Sequence, residues 1–221
     1  MKKILKIVTT LLCAMHICLA QTSQPLPPLQ TGWKRIYIKN VGSFDIPPTM
    51  EVQSGKYREY VDEMKKIKGF DAAQLTAQQK GLNQFSNEGY ERYARVIVET
   101  TIGSIGDFDK LNFNIAEYSQ TDINEMNAAS RQQIQQSFRG TGIQLIEWYP
   151  IKIEKVNGMS CFHISYKRQF QDQPIVFVHM YGFQNNDRMH KFTLSYRITE
   201  ADYWQSDFAI ILKSFRVTNI R

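Results

Sequence analysis

An α+β fold is expected from this chain: an antiparallel sheet, built from an N-terminal hairpin and a C-terminal four-strand meander, covered by helices. Three observations predict it. Runs with every second residue apolar sit at both ends of the chain, and segments with apolar residues at helical spacing lie between them. The turns in the last third are short and rich in Asn, Asp, Gln and Gly. Strands and helices segregated in this way indicate α+β rather than a parallel α/β sheet.

The first twenty residues, MKKILKIVTTLLCAMHICLA, carry Lys2, Lys3 and Lys6 before an apolar core from Ile7 to Leu19. That is the pattern of a secretory signal peptide, with an apolar run too short for a membrane span. Cleavage is expected after Ala20, leaving the mature protein extracytoplasmic, either periplasmic or secreted; the short leader suits a bacterium. Lipidation at Cys13 or Cys18 would call for a small preceding residue, and Leu12 and Ile17 stand there instead. No later run is apolar and long enough to cross a bilayer. Residues 21–31, QTSQPLPPLQT, hold three prolines and no charge and read as an extended tether. A single domain follows from residue 32 to residue 221.

Loss of the leader removes three of the 27 basic residues and none of the 21 acidic ones, so the net charge falls from +6 to +3. The remaining Lys and Arg are scattered without a basic stripe, which gives nucleic-acid binding little support. Of the three cysteines only Cys161 remains. No internal disulfide is then possible, and an apolar core must hold the domain.

In order, Ile36 and Ile38 alternate with polar residues, and GSFDIPPTMEVQ supplies a partner strand that Pro47-Pro48 ends or confines to an edge. Tyr57, Tyr60, Val61, Met64 and Ile67 share one helical face over residues 56–70. The stretch 71–90 supports two readings. Asp71 and Gln74 suit a capping box, while Leu75-Thr76-Ala77 suits a strand leading to a Gly81 turn. YARVIVETTIG is β-branched and alternating, a strand. Ser119 or Thr121 caps a helix through Ile123, Met126, Ile134 and Phe138 that ends at Gly140, with one narrow buried stripe.

From residue 143 four alternating runs, separated by Asn157-Gly158, Gln171–Gln173 and Asn185–Asp187, form the meander. A final helix starts at the capping signal Thr199-Glu200-Ala201-Asp202 and places Trp204, Phe208, Ile211 and Leu212 on one stripe.

The element order, the opening GSFDIPPTMEV and the ending YWQSDFAIILKSFRV resemble the Mog1/PsbP-like group, whose last helix runs into a Ser-Phe-hydrophobic tail (here Ser214-Phe215-Arg216-Val217). The resemblance implies a small α+β domain that is noncatalytic and serves in binding or assembly. It brings no site residues with it, because its motifs are packing motifs.

Within CFHISYKRQF, Cys161, His163, Ser165 and Lys167 share one strand face, and Phe162, Ile164, Tyr166 and Phe170 the other. Cys161 and His163 stand roughly 6.6 Å apart along the strand. That separation suits two ligands of one zinc but is long for a thiol and its base, and an ordinary strand explains the pair more simply. A four-residue loop at 171–174 sets Tyr166 opposite His179 and turns His179 away from Cys161 and His163, an assignment that one residue of slip would reverse. The same register joins Tyr166, Phe177, His179 and Tyr181 in one aromatic face, the candidate ligand-binding set. Tyr166 and Tyr181 buried under a helix would count against a sugar or small-ligand platform.

GDFDKLNFN lacks the ligand at Leu111 and the glycine at Asn112 that a calcium loop needs. Glu117, Glu147 and Glu154 show no spacing that singles out an acid and a base, and nucleophile-elbow, phosphate-loop and zinc-helix motifs are absent. The expectation is an exported noncatalytic binding or assembly domain of the cell envelope without a cofactor. Its partner would be a protein or an envelope component, docked through one sheet face or through 71–90. A small-ligand binder, or an enzyme using Cys161, His163 and a further histidine, is the alternative.

Overall fold

Alternation builds the first hairpin. Ile36 and Ile38 of β1 (Lys34–Ile38) and Phe44 and Ile46 of β2 (Gly42–Ile46) are buried. The turn between the strands places Asn40 at φ 62°, a conformation Asn tolerates better than most residues. The second strand stops at Pro47, as the double proline predicts. The computed structural model describes residues 25–67 and 74–221. The leader, the start of the tether and Asp71 lie outside the described residues. The described end of the tether is fastened: the Arg35 guanidinium donates to the Pro27 carbonyl at 2.6 Å and grips Asp45 with two bonds of 2.7 and 2.9 Å.

After β3 (Met50–Val52) and α1 (Gly55–Ile67), the chain forms β4 (Leu75–Gln79), a turn over Leu82–Gln84, α2 (Asn87–Glu91) and β5 (Ala94–Ile102). The strand reading therefore holds for 75–79. Its glutamines face inward, where hydrogen bonds offset their burial. Gln53 donates to Gln78 at 2.7 Å, and Gln79 donates to the Gly89 carbonyl at 2.7 Å. The glutamines of this stretch are thus used inside the fold.

The helix α3 (Gln120–Ser137) begins in a complete capping box between Ser119 and Asp122. The meander follows as β6 (Ile143–Val156), β7 (Met159–Phe170), β8 (Val176–Gln184) and β9 (Arg188–Arg197). The last elements are α4 (Ala201–Ser214) and β10 (Arg216–Val217). The expected cap at Thr199 does not form. Residues 198–200 make a 3-10 turn, and the Glu200 carboxylate instead accepts from the Tyr93 backbone N–H at 2.8 Å.

The described residues form two antiparallel sheets: β1-β2-β10, and a seven-stranded sheet in the order β3-β4-β5-β9-β8-β7-β6. The hairpin thus makes its own small sheet with the C-terminal strand. α4 packs on both β2 and β9 and buries Trp204, Phe208 and Ile211 between the sheets. Phe44 meets Phe192 edge-on at 5.4 Å, and Phe215 stacks on Phe192 at 4.4 Å. Full burial of such side chains contributes about 1.5–3 kcal/mol each. His190 belongs to this interior: it is fully buried, Thr100 Oγ1 lies 3.0 Å from its Nδ1, and burial lowers its pKa to about 4.

Gly42 lies where β10 crosses β2. A Cβ there would fall 1.7 Å from the Arg216 carbonyl oxygen, which only backbone movement could relieve. Gly42→Ala is expected to lower stability by at least ~2 kcal/mol in urea denaturation, whereas Gly182→Ala, whose Cβ would meet its nearest neighbour, Met189 Sδ, only at 3.6 Å, stays within ~1 kcal/mol.

Candidate functional site

β6 is the edge strand of the large sheet and contains Pro150, which an edge or a bulge tolerates. Its pairing with β7 shifts register twice, between Leu145 and Glu147 and between Tyr149 and Lys152. Each bulge moves the side-chain alternation by one residue. As a result Glu147, Tyr149, Lys152 and Glu154 stand on the same face as their β7 partners Lys167, Ser165, His163 and Cys161.

The β7–β8 register completes this face, and it differs from the expected one. Tyr166 lies opposite Val178, His163 opposite Tyr181 and Ser165 opposite His179. The connection is one residue tighter than a four-residue loop: Gln171 takes φ 48°, and the Gln173 N–H bonds back to the Phe170 carbonyl at 3.0 Å. One residue of register exchanges faces. His179, Phe177 and Tyr181 therefore share a face with Cys161 and His163, and Tyr166 stands on the opposite face. The four residues expected to form one aromatic surface are split three to one. Tyr166 is buried beside Phe138, whose ring is 6.0 Å away at the C-terminal end of α3, and Tyr181 is buried under the His163 ring at 4.3 Å.

The face that results carries a hydrogen-bonded chain. Glu154 Oε1 lies 2.9 Å from His163 Nδ1, and His163 Nε2 lies 3.1 Å from His179 Nδ1. With both imidazoles neutral, His163 Nδ1–H donates to the carboxylate, His179 Nδ1–H donates to His163 Nε2, and the His179 Nε2 lone pair ends the chain. The hydrogen bond from His163 holds Glu154 below the usual carboxylate range, against the opposing effect of burial. Burial, followed by the neighbouring His163, brings His179 down to about 4. Both ring nitrogens of His163 are engaged, so it offers no free lone pair to a metal in this arrangement. Cys161 is fully buried, and its thiol is pushed up to about 12 by burial and the Glu154 charge, the opposite of an activated nucleophile.

Aromatic rings extend the chain toward the sheet edge. Phe177 lies 4.2 Å from His179, and Tyr149 lies 5.5 Å from Phe177. Lys167 sits over both Tyr149 and Phe177 while pairing with Glu147 at 2.6 Å. α4 crosses this face of the sheet from Tyr196, where Gln205 donates to the tyrosine hydroxyl, to the β6–β7 turn, where Asn157 donates to the Leu212 and Phe215 carbonyls. The patch of Tyr149, Phe177, His179 and His163 lies beyond it and is half-buried.

Glu154 and Tyr149 were not singled out in the sequence. Counting outward from the two-residue turn at Asn157-Gly158 places Glu154 opposite Cys161, so that half of the site could have been found; the bulges that realign Tyr149 carry no such signal. In GDFDKLNFN the two aspartates serve the loop: Asp107 accepts from the Ser104 N–H at 2.7 Å and Asp109 from the Tyr118 hydroxyl at 2.5 Å.

No protein-family model matches this chain, and no curated protein matches it in sequence. Among solved structures, cyanobacterial PsbP from Synechocystis aligns with a TM-score of 0.51 at 13% identity, over 85% of this chain and 94% of that one. A Pseudomonas aeruginosa protein of unknown function aligns over 83% of this chain and 95% of its own, with a TM-score of 0.33 at 9% identity, too low to carry an argument. The fold is PsbP-like.

A pH dependence follows from the histidines. In the unfolded chain His179 and His190 take up protons near the ordinary histidine value of 6.5, and in the folded protein only near 4. Between these values the unfolded state binds more protons, so stability is full above about 6.5 and declines as pH falls toward 4. Urea titrations are expected to show a loss on the order of 1–3 kcal/mol per histidine across that window, and His179→Phe to remove part of it.

Proposed function

We propose that this chain is an exported, noncatalytic binding domain of the cell envelope, which docks a protein partner or another envelope component on the β6–β8 face. The observation that carries this reading is the patch of Tyr149, Phe177, His179 and His163: half-buried rings beyond the reach of α4. Its charges sum to zero, Glu147 and Glu154 against Lys167 and Lys152, with Glu147 paired to Lys167 and Glu154 hydrogen-bonded to the neutral His163 ring. An aromatic surface with internally balanced charge suits docking, because little charge must be desolvated when it is covered. The leader and the proline-rich segment support delivery outside the cytoplasm. Among the described residues no helix is long and apolar enough to cross a membrane. The PsbP-like fold accords with a binding or assembly role, which it supports as fold likeness alone.

A second reading rests on the Glu154–His163–His179 chain, whose terminal lone pair has the form of a general base. Among the described residues no nucleophile is hydrogen-bonded to it: the Cys161 thiol is buried and held protonated. Water would have to be the attacking group.

Photo-crosslinking in the producing cells tests the proposal. A benzophenone amino acid at Tyr149 or Phe177 is expected to yield one discrete adduct in the extracytoplasmic fraction, and the same probe at exposed Tyr60 on α1 to yield none. Equal labelling from all three positions would refute docking through this face.

A further inference from the structure

The other face of the large sheet holds a second feature. α3 lies across it, attached mainly along β6, where Asn127 Oδ1 accepts from the Trp148 indole at 2.9 Å and from the Ile151 N–H at 3.1 Å. No α3 residue is fully buried; Ile134 and Phe138 are only half-covered. Between the C-terminal half of the helix and β5, β9, β8 and β7 a cleft of about 490 Å³ remains open. That is within the range of small-molecule sites, roughly 300–1,000 Å³.

Its composition is asymmetric. Sheet pairing sets Met180 of β8 and Ile97 of β5 in one cross-strand row, with Thr193 between them, and Val178 one row away. With Ile134 and Phe138 overhead these side chains form an apolar channel. At one end Lys191 is neutralised by Glu99 at 2.7 Å. At the other end stands Arg168, whose side chain donates to the Tyr93 hydroxyl at 3.3 Å and, among the described residues, meets no carboxylate. One neighbour strengthens the positive field. Arg95 supplies this, its guanidinium 5.0 Å from the Tyr93 ring, while Arg197 is neutralised by Glu200 at 3.3 Å and adds nothing to it. Burial raises the Tyr93 phenol, but Arg168 and Arg95 more than offset it, and the net shift is downward.

We propose that this cleft binds a small anionic amphiphile, a monocarboxylate with an unbranched hydrocarbon tail. The carboxylate takes the planar guanidinium of Arg168, which suits bidentate pairing, and the tail lies along Ile97, Val178 and Met180 beneath α3. This goes beyond the face proposed for partner docking, since the two sites occupy opposite sides of one sheet.

Titration of the purified protein with sodium dodecanoate, followed by calorimetry and by the fluorescence of Trp148, which stacks on Tyr166 at 6.0 Å, tests it. One equivalent is expected to bind, with dodecanol and dodecyltrimethylammonium at least tenfold weaker. Arg168→Gln should weaken dodecanoate at least tenfold, and Arg168→Lys should recover only part of the loss. Met180→Trp, which fills the channel and leaves the charge in place, should weaken the acid as well, so the tail contact is tested even if the Arg168 variants fold poorly. Equal affinity for acid and alcohol would overturn the proposal, as would an unchanged affinity in folded Arg168→Gln. Dodecyl phosphate binding more than tenfold tighter than dodecanoate would overturn the carboxylate assignment.

Discussion

The register between β7 and β8 is the constraint on which both faces of the large sheet depend. A strand has a side-chain period of two, so one residue in the connecting turn decides whether His179 joins His163 or Tyr166. The turn is tight because Gln171 adopts a left-handed conformation and Gln173 bonds back to Phe170. Once it is set, Phe177, His179 and Tyr181 fall beside Cys161 and His163, and Val178 and Met180 fall beneath α3. The histidine chain on one side and the apolar channel on the other are two consequences of a single pairing.

The two bulges in β6 extend the same logic to the edge. Without them Tyr149 and Glu154, an odd number of residues apart, would stand on opposite faces. With them the edge strand supplies both an aromatic ring and the carboxylate that orients His163. Bulges concentrate at sheet edges and beside sites because they re-aim side chains in this way. A proline in the strand is consistent with the same local break in pairing. The small sheet and α4 anchor the whole: the Phe44, Phe192 and Phe215 rings lock the hairpin, the meander and the C-terminal tail into one core, at whose periphery the histidine face stays open.

Most of the fold was legible because it rests on periodicity. The hairpin, β5, the meander and the stripe of Trp204, Phe208 and Ile211 all follow from alternation or helical spacing. Residues 71–90 were ambiguous because their strand is built on Gln78 and Gln79, polar residues that are buried only through hydrogen bonds to other parts of the chain, Gln53 and the Gly89 carbonyl of α2. The expected cap at Thr199 failed because tertiary contacts drew Glu200 toward Tyr93. The site was half legible: Cys161, His163, His179, Phe177 and Tyr181 were all noticed, but their grouping depended on loop length, which sequence pattern does not determine to one residue. Glu154 was within reach of simple counting from the Asn157-Gly158 turn.

The most direct test of this account is ¹⁵N NMR of the imidazole rings, combined with nuclear Overhauser contacts between β7 and β8. The account predicts His163 protonated at Nδ1, His179 neutral at pH 6, and close contacts from the His163 ring to both His179 and Tyr181. Contacts that place His179 beside Tyr166, with His163 opposite Gly182, would contradict it, and the proposed docking face would then not exist.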